Sequence, residues 1–226
     1  MMLSQSFLEP IVLLPSLVIG AVFFLSVLLH ACGTLPWMER VKRYLTIKGL
    51  IRVVVYFRVG YAGLFTVLQY FAWTEGGKMS AALARASLGG DIPVTFVKMF
   101  PFVFGGEFGY FIYYSLSRFW LGAALSLFGA WIFYRFLLAL ERHQGRFFEE
   151  GETELGYLSA LLVGWPLAVL FIPLSFACVV LLSLIRLIFL KEPYTTLGWP
   201  FLAATLISLV WGGTLLVLTG LLVLRV

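Results

Sequence analysis

Two histidines, His30 and His143, and two cysteines, Cys32 and Cys178, are all that this 226-residue chain offers for imidazole or thiol chemistry. Serine hydrolysis at membrane depth needs a serine beside a base. Zinc hydrolysis needs histidines and an acid on one helix face, as in H-E-x-x-H. Neither pattern occurs. Haem between facing helices would need both histidines at matching central depths, and they sit instead at the edges of apolar runs or in loops. Each cysteine lies in an apolar run with no Cys or His at ligand spacing, so neither a zinc site nor a disulfide framework is expected. The glycines of 105–109 follow no strand and lack the context of a phosphate-binding loop. The reading is of a chain with no catalytic, cofactor-binding or metal-binding residues, and not of an enzyme.

Four charges at apolar runs remain as candidates: Arg58, Glu107, Arg118 and Arg186. A charge within a span marks function by default, although arginine near a helix end also snorkels to the headgroups. Arg118 stands one turn before Gly122, and Glu107 is the acid nearest to it in sequence. The two either pair at the outer membrane edge and fix the aromatic element or stand as two solvated interfacial charges. Arg186 shares a helical face with Ser175, since eleven residues make about three turns. It is placed to meet a lipid phosphate or a partner's carboxylate. The acidic run Glu149, Glu150, Glu152 and Glu154 reads as a solvated loop. No acid lies near the centre of an apolar run, which argues against proton-coupled transport by this chain alone.

The elements that carry these residues follow from composition. Hydrophobic residues make up 62% of the chain, charged residues 12%, and mean hydropathy is +1.00. A soluble domain carries roughly 25% charge, and one of this size must face water over much of its surface. Hydrocarbon as the outer solvent resolves the discrepancy. Crossing it takes about 20 apolar residues in a helix that satisfies its own backbone. The expected fold is all-α, a polytopic transmembrane bundle in a single integral membrane domain over 1–226. About five spans are expected, near 11–32, 53–73, 118–140, 166–190 and 200–224. Leu29-His30-Ala31-Cys32-Gly33 has the look of a lipoprotein cleavage box, but no Lys or Arg precedes the apolar run, so 11–32 is read as a retained span.

Between the spans, 33–52 is either an amphipathic surface helix or a basic connector. Residues 74–91 are expected outside the bilayer. The segment 92–117, rich in Phe and Tyr and broken by Pro93, Pro101 and Gly105-Gly106, is expected to be interfacial or re-entrant. Gly-Trp-Pro at 164–166 and again at 198–200 reads as the start of spans four and five, and Pro173 as a kink. Small residues at i, i+4 mark helix contacts in lipid: Gly122, Ser126 and Ala130 on span three, and Ala204, Ser208 and Gly212 on span five.

Orientation follows Lys and Arg. The cluster Arg40, Lys42, Arg43, Lys48 and Arg52 suggests an N-terminus outside and a C-terminus inside, in a cell membrane, the prokaryotic cytoplasmic membrane being the expected one. The expected partners are the lipid bilayer, anionic lipids at the basic loop 40–52, and other membrane protein subunits; no nucleic acid is expected. The function expected is that of a non-catalytic subunit or scaffold of a transport, secretion or envelope-assembly complex. A permease or channel for a lipidic or small solute, and a membrane-embedded lipid-modifying enzyme, are the alternatives.

Overall fold

The computed structural model describes residues 5–31, 46–88, 95–143, 148–149, 151–189, 191 and 196–224. It is all-α, and 5 helices are long and apolar enough to cross a bilayer: Pro10–Ala31, Ile47–Glu75, Gly109–His143, Ala168–Phe189 and Gly198–Leu218. These are the elements α1 (Gln5–Ala31), α2 (Ile47–Glu75), α6 (Gly109–Ser115) running on into α7 (Leu121–His143), α9 (Ala168–Phe189) and α10 (Gly198–Leu218). Shorter helices are α3 (Lys78–Ala84), α4 (Thr95–Met99), α5 (Pro101–Phe104) and α8 (Glu152–Val163).

Local chemistry explains where the boundaries differ from expectation. Span two was expected from 53, but the Thr46 hydroxyl accepts the Gly49 N–H at 3.0 Å and starts α2 at Ile47. Lys48 and Arg52 therefore belong to its first turns. Arg40, Lys42 and Arg43 lie outside the described residues, as does most of the expected surface helix. Span three begins earlier than 118 because α6 joins α7 through a five-residue π-helical turn, Leu116–Trp120. Within 92–117, Pro101 opens α5, where a missing N–H costs nothing.

The chain packs as two compact units, divided inside α2 and inside α7. The first, described over 57–88 and 95–124, is held by aromatic side chains. Phe57, Tyr61 and Phe65 form a ladder at i, i+4 spacing on α2, with centroids 5.6 and 4.6 Å apart, and Phe65 meets Phe119 at 5.7 Å. Trp73 packs against Tyr110, Phe111 and Tyr114. Trp120 Nε1 donates to Thr66 Oγ1 at 3.1 Å. The aromatic run of the sequence is thus the partner of α2's own aromatic face. Gly109 has a specific task here. A Cβ at this position would collide with the Phe104 carbonyl, which accepts the Leu88 N–H at 3.0 Å while Tyr110 N–H bonds to Ala86 at 3.0 Å.

The second unit comprises the described parts of 5–56 and 125–224. Its centre is α8, buried on nearly every face. Twelve residues make a helix of about 18 Å, too short for a hydrocarbon core of about 30 Å. Side-chain pairings give its direction. Going up α8, Thr153, Gly156 and Tyr157 meet Glu141, Leu137 and Tyr134, so α8 runs against α7. Glu152 and Gly156 meet Gly198 and Phe201, so α8 runs with α10.

The chain then turns at Gly164–Leu167. Gly164 takes φ +65°, a conformation open to glycine. The Trp165–Pro166 peptide is cis, and the Trp165 N–H donates to Ser126 Oγ at 2.8 Å. Beyond the turn the pairing reverses. Trp165, Phe171 and Phe176 meet Ser126, Phe133 and Phe136 in increasing order, so α9 runs with α7. Leu167 meets Gly212, while Leu182 and Arg186 line a groove with Trp199 and Ala203, so α9 runs against α10. Helices α8 and α9 are therefore the two arms of a hairpin that goes in and comes back.

Gly164-Trp165-Pro166 is a turn between helices, and span four begins directly after it at Ala168, close to the expected start. One expectation is corrected: alternating spans would set span four against span three, yet it runs parallel to it. The short apolar stretch Tyr157–Val163 supplies the missing arm. The arm that goes in and returns in this unit is formed by 152–167.

One consequence is testable on the two adjacent glycines of α10. A Cβ on Gly212 would lie 2.6 Å from Leu167 Cδ2, whereas one on Gly213 meets nothing within 4 Å. Gly212→Leu should lower the thermal midpoint in detergent by the equivalent of about 1–3 kcal/mol of overpacking. Gly213→Leu should leave it within about 0.5 kcal/mol, the range of an ordinary surface change.

Candidate functional site

The polar groups of the second unit gather where α8 and α10 begin. Leu197 stands at the N-cap of α10 and brings no side-chain acceptor. A helix start buried in protein still has amide hydrogens to satisfy. Glu152 satisfies them from the neighbouring helix. Its Oε1 accepts the Gly198 N–H at 2.6 Å, and its Oε2 accepts the Leu197 N–H at 3.1 Å and the Glu149 N–H at 2.9 Å. The side chain is 2% exposed. A carboxylate at a helix N-terminus also meets the positive end of the helix dipole.

Gly198 makes the approach possible. A Cβ there would collide with the His30 imidazole and lie 2.9 Å from Glu152 Oε1. His30, at the end of α1, meets the Trp199 ring edge to face at 5.3 Å and 71°. Around this centre two further acids are engaged. Glu141 accepts the buried Thr153 hydroxyl at 2.8 Å, and Glu154 pairs with Lys48 at 3.5 Å. Lys48 is 74% exposed, so that last pair contributes little.

The acidic run expected to be a solvated loop is corrected here. Glu152 and Glu154 are in the first turn of α8, Glu152 fully buried, and Glu149 supplies a backbone donor; Glu150 lies outside the described residues. Hydropathy missed Glu152 because a buried carboxylate and a solvated one have the same letter. The usable signal lay elsewhere, in Leu197-Gly198, a helix start with no capping side chain of its own.

The four candidate charges are divided between the two units. Arg58 is half-buried on α2 in the first unit. Glu107 and Arg118, in the same unit, are both exposed and form no ion pair with one another. The π turn explains Arg118. Arg118 lies within the five residues of wider winding that precede α7, so the expected stripe through Gly122 loses its register there. Arg186 lies in the second unit, in the groove with Leu182, Trp199 and Ala203. Ser175, expected to share its face, instead bonds within its own helix to Ile172 at 2.7 Å.

The small residues divide as well. Ser126, Ala130, Ala204, Ser208 and Gly212 are buried within the second unit. Ser126 is more than a spacer, since it holds the hairpin turn through Trp165. Gly122 belongs to the first unit, and its Cβ position has nothing within 4 Å. Among the described residues, no group of three or more His, Cys, Asp or Glu could hold a metal ion. The arrangement described is a set of ties between helix ends.

Two substitutions separate a working polar tie from an idle polar group. Glu152→Ala removes the acceptor of three amides, two of them at the start of α10. It should destabilise the protein by about 3 kcal/mol, read as a lowered thermal midpoint. Ser208 is buried with its hydroxyl unpartnered. Ser208→Ala should leave the midpoint unchanged or raise it by up to about 1 kcal/mol. No protein-family model, curated protein or solved structure matches this chain.

Proposed function

We propose that the chain is a non-catalytic membrane subunit or scaffold, whose lipid-facing helix surfaces receive helices of other subunits in a larger transport, secretion or envelope-assembly complex. The supporting observation is the division of its glycines. Gly156, Gly198 and Gly212 have their Cβ space filled by neighbours within the second unit. Gly20 on α1, Gly60 and Gly63 on α2, Gly129 on α7 and Gly213 on α10 open onto space with nothing within 4 Å. Glycine inside a helix costs about 1 kcal/mol relative to alanine. In membranes it is favoured where another backbone comes close. The exposed glycines lie beside exposed apolar side chains, such as Tyr56 and Val59 next to Gly60, and Leu17 and Phe24 flanking Gly20. Glu152, tied to the start of α10, and Glu141, bonded to Thr153, support a structural role over a reactive one.

The test is co-purification in mild detergent. Gly60→Leu and Gly63→Leu should release stoichiometric partner proteins while leaving the chain's own thermal midpoint in place. A chain that purifies alone and monodisperse from native membranes would overturn the reading.

The orientation proposed is revised from the expected one. The end of the second unit that holds Glu152 also holds the end of α1, the start of α2, the end of α7 and the start of α10. With the hairpin returning there, Arg186 joins Lys48, Arg52 and Arg142 on one side. The positive-inside rule places that side in the cytoplasm of a prokaryotic cell. Helix α10 then leaves toward the outside, so the C-terminal end of the chain lies outside with the start of α1. A phosphatase reporter fused after Leu224 should be active in the periplasm and a green fluorescent reporter there dark. The opposite pattern would reject this orientation.

A further inference from the structure

Between α9 and α10, at the Glu152 end of the second unit, lies a groove of about 400 Å³. Leu182 and Arg186, one turn apart on α9, form one wall; Trp199 and Ala203, one turn apart on α10, form the other. The groove is graded. Arg186 is in the last turn of α9 and Trp199 in the first turn of α10, so the cation and the indole stand at its mouth. Leu182 and Ala203 lie one turn further toward the middle of the span.

We infer that this groove is a binding site for an anionic glycerophospholipid, with the phosphate at Arg186 and an acyl chain running past Leu182 and Ala203. Arginine presents a planar set of donors that matches a phosphodiester. Basic pockets between membrane helices are a recurrent form of headgroup recognition. The ligand must be amphiphilic because the inner half of the groove is apolar. A soluble phosphate would satisfy the mouth and leave the rest empty. Trp199, 44% exposed, suits the headgroup level. Its orientation is supported by the His30 ring beside it. Glu152, beside Trp199 at the start of α10, has both its oxygens engaged by backbone N–H groups. Ala203 leaves the volume that a larger side chain would fill. The apolar outer surface of α9, with Leu181, Leu184, Ile185 and Ile188 exposed, continues the path into bulk lipid.

The inference is independent of the subunit reading, since a lone chain would bind the same lipid. The measurement is native mass spectrometry of the full chain released from nanodiscs of phosphatidylcholine doped with phosphatidylglycerol. The wild-type chain should retain phosphatidylglycerol over phosphatidylcholine. Arg186→Gln removes the charge, and Ala203→Leu fills the groove while keeping it. Both should lower that retention by about tenfold. Arg186→Lys should recover part of it. Arg135→Gln, which removes an exposed cation 6.0 Å from Trp131 on α7, should change nothing. Unaltered retention in Arg186→Gln would overturn the site, as would an equal loss in Arg135→Gln. Displacement of the lipid by inorganic phosphate alone would overturn the choice of a lipid over a free anion.

Discussion

A helix that begins inside protein, away from water, must find acceptors for its first amide hydrogens, and in the second unit one carboxylate meets that demand for α10. Glu152 reaches across from α8 to the N–H groups of Leu197 and Gly198. Much of the unit's arrangement is tied to this contact. It sets α8 beside α10 with the two starts level. It requires Gly198, because any Cβ would occupy the space of the carboxylate and the His30 ring. It brings the end of α1 to Trp199. A hydrocarbon surround makes the constraint stricter than it is in water, since no solvent molecule stands ready to replace a missing acceptor.

The hairpin follows from the same accounting of backbone groups. A half-length helix such as α8 ends buried inside the protein, where a free helix end is costly. The chain closes that end within itself. The Trp165 N–H goes to Ser126, the Trp165 indole N–H goes to the Leu224 carbonyl at 3.0 Å, and Gly164 and Ala168 keep helix-type bonds across the turn. Enclosure by α1, α7, α9 and α10 explains why α8 is apolar all round, with only Glu152, Thr153 and Ser159 as buried polar side chains. The same enclosure explains why the two copies of Gly-Trp-Pro differ in role. One glycine supplies a positive φ at a turn, while the other supplies room for a neighbour's side chain.

What could be read from residue order alone divides along physical lines. Span existence is a property of summed hydropathy, and all five expected spans correspond to helices of the structure. Direction and pairing depend on specific contacts, and those escaped. A twelve-residue apolar run such as 152–163 reads as either a loop-side extension or a buried arm, because length cannot distinguish them. The π turn at 116–120 shifts one face of a helix against the next without leaving a compositional trace. The aromatic segment was recognisable as unusual, yet its partner was not, since the matching ladder Phe57, Tyr61 and Phe65 sits within an ordinary apolar span.

Charge in this chain therefore carries two kinds of information. Where a carboxylate has its oxygens filled by amides, as Glu152 does, burial marks architecture. Arg186 differs because it lines a graded groove with Trp199, Leu182 and Ala203. Glu152 is explained by α10's first turn. Arg186 and Trp199 at the polar mouth, with Leu182 and Ala203 one turn further in, form a space whose two halves suit the two ends of an amphiphile.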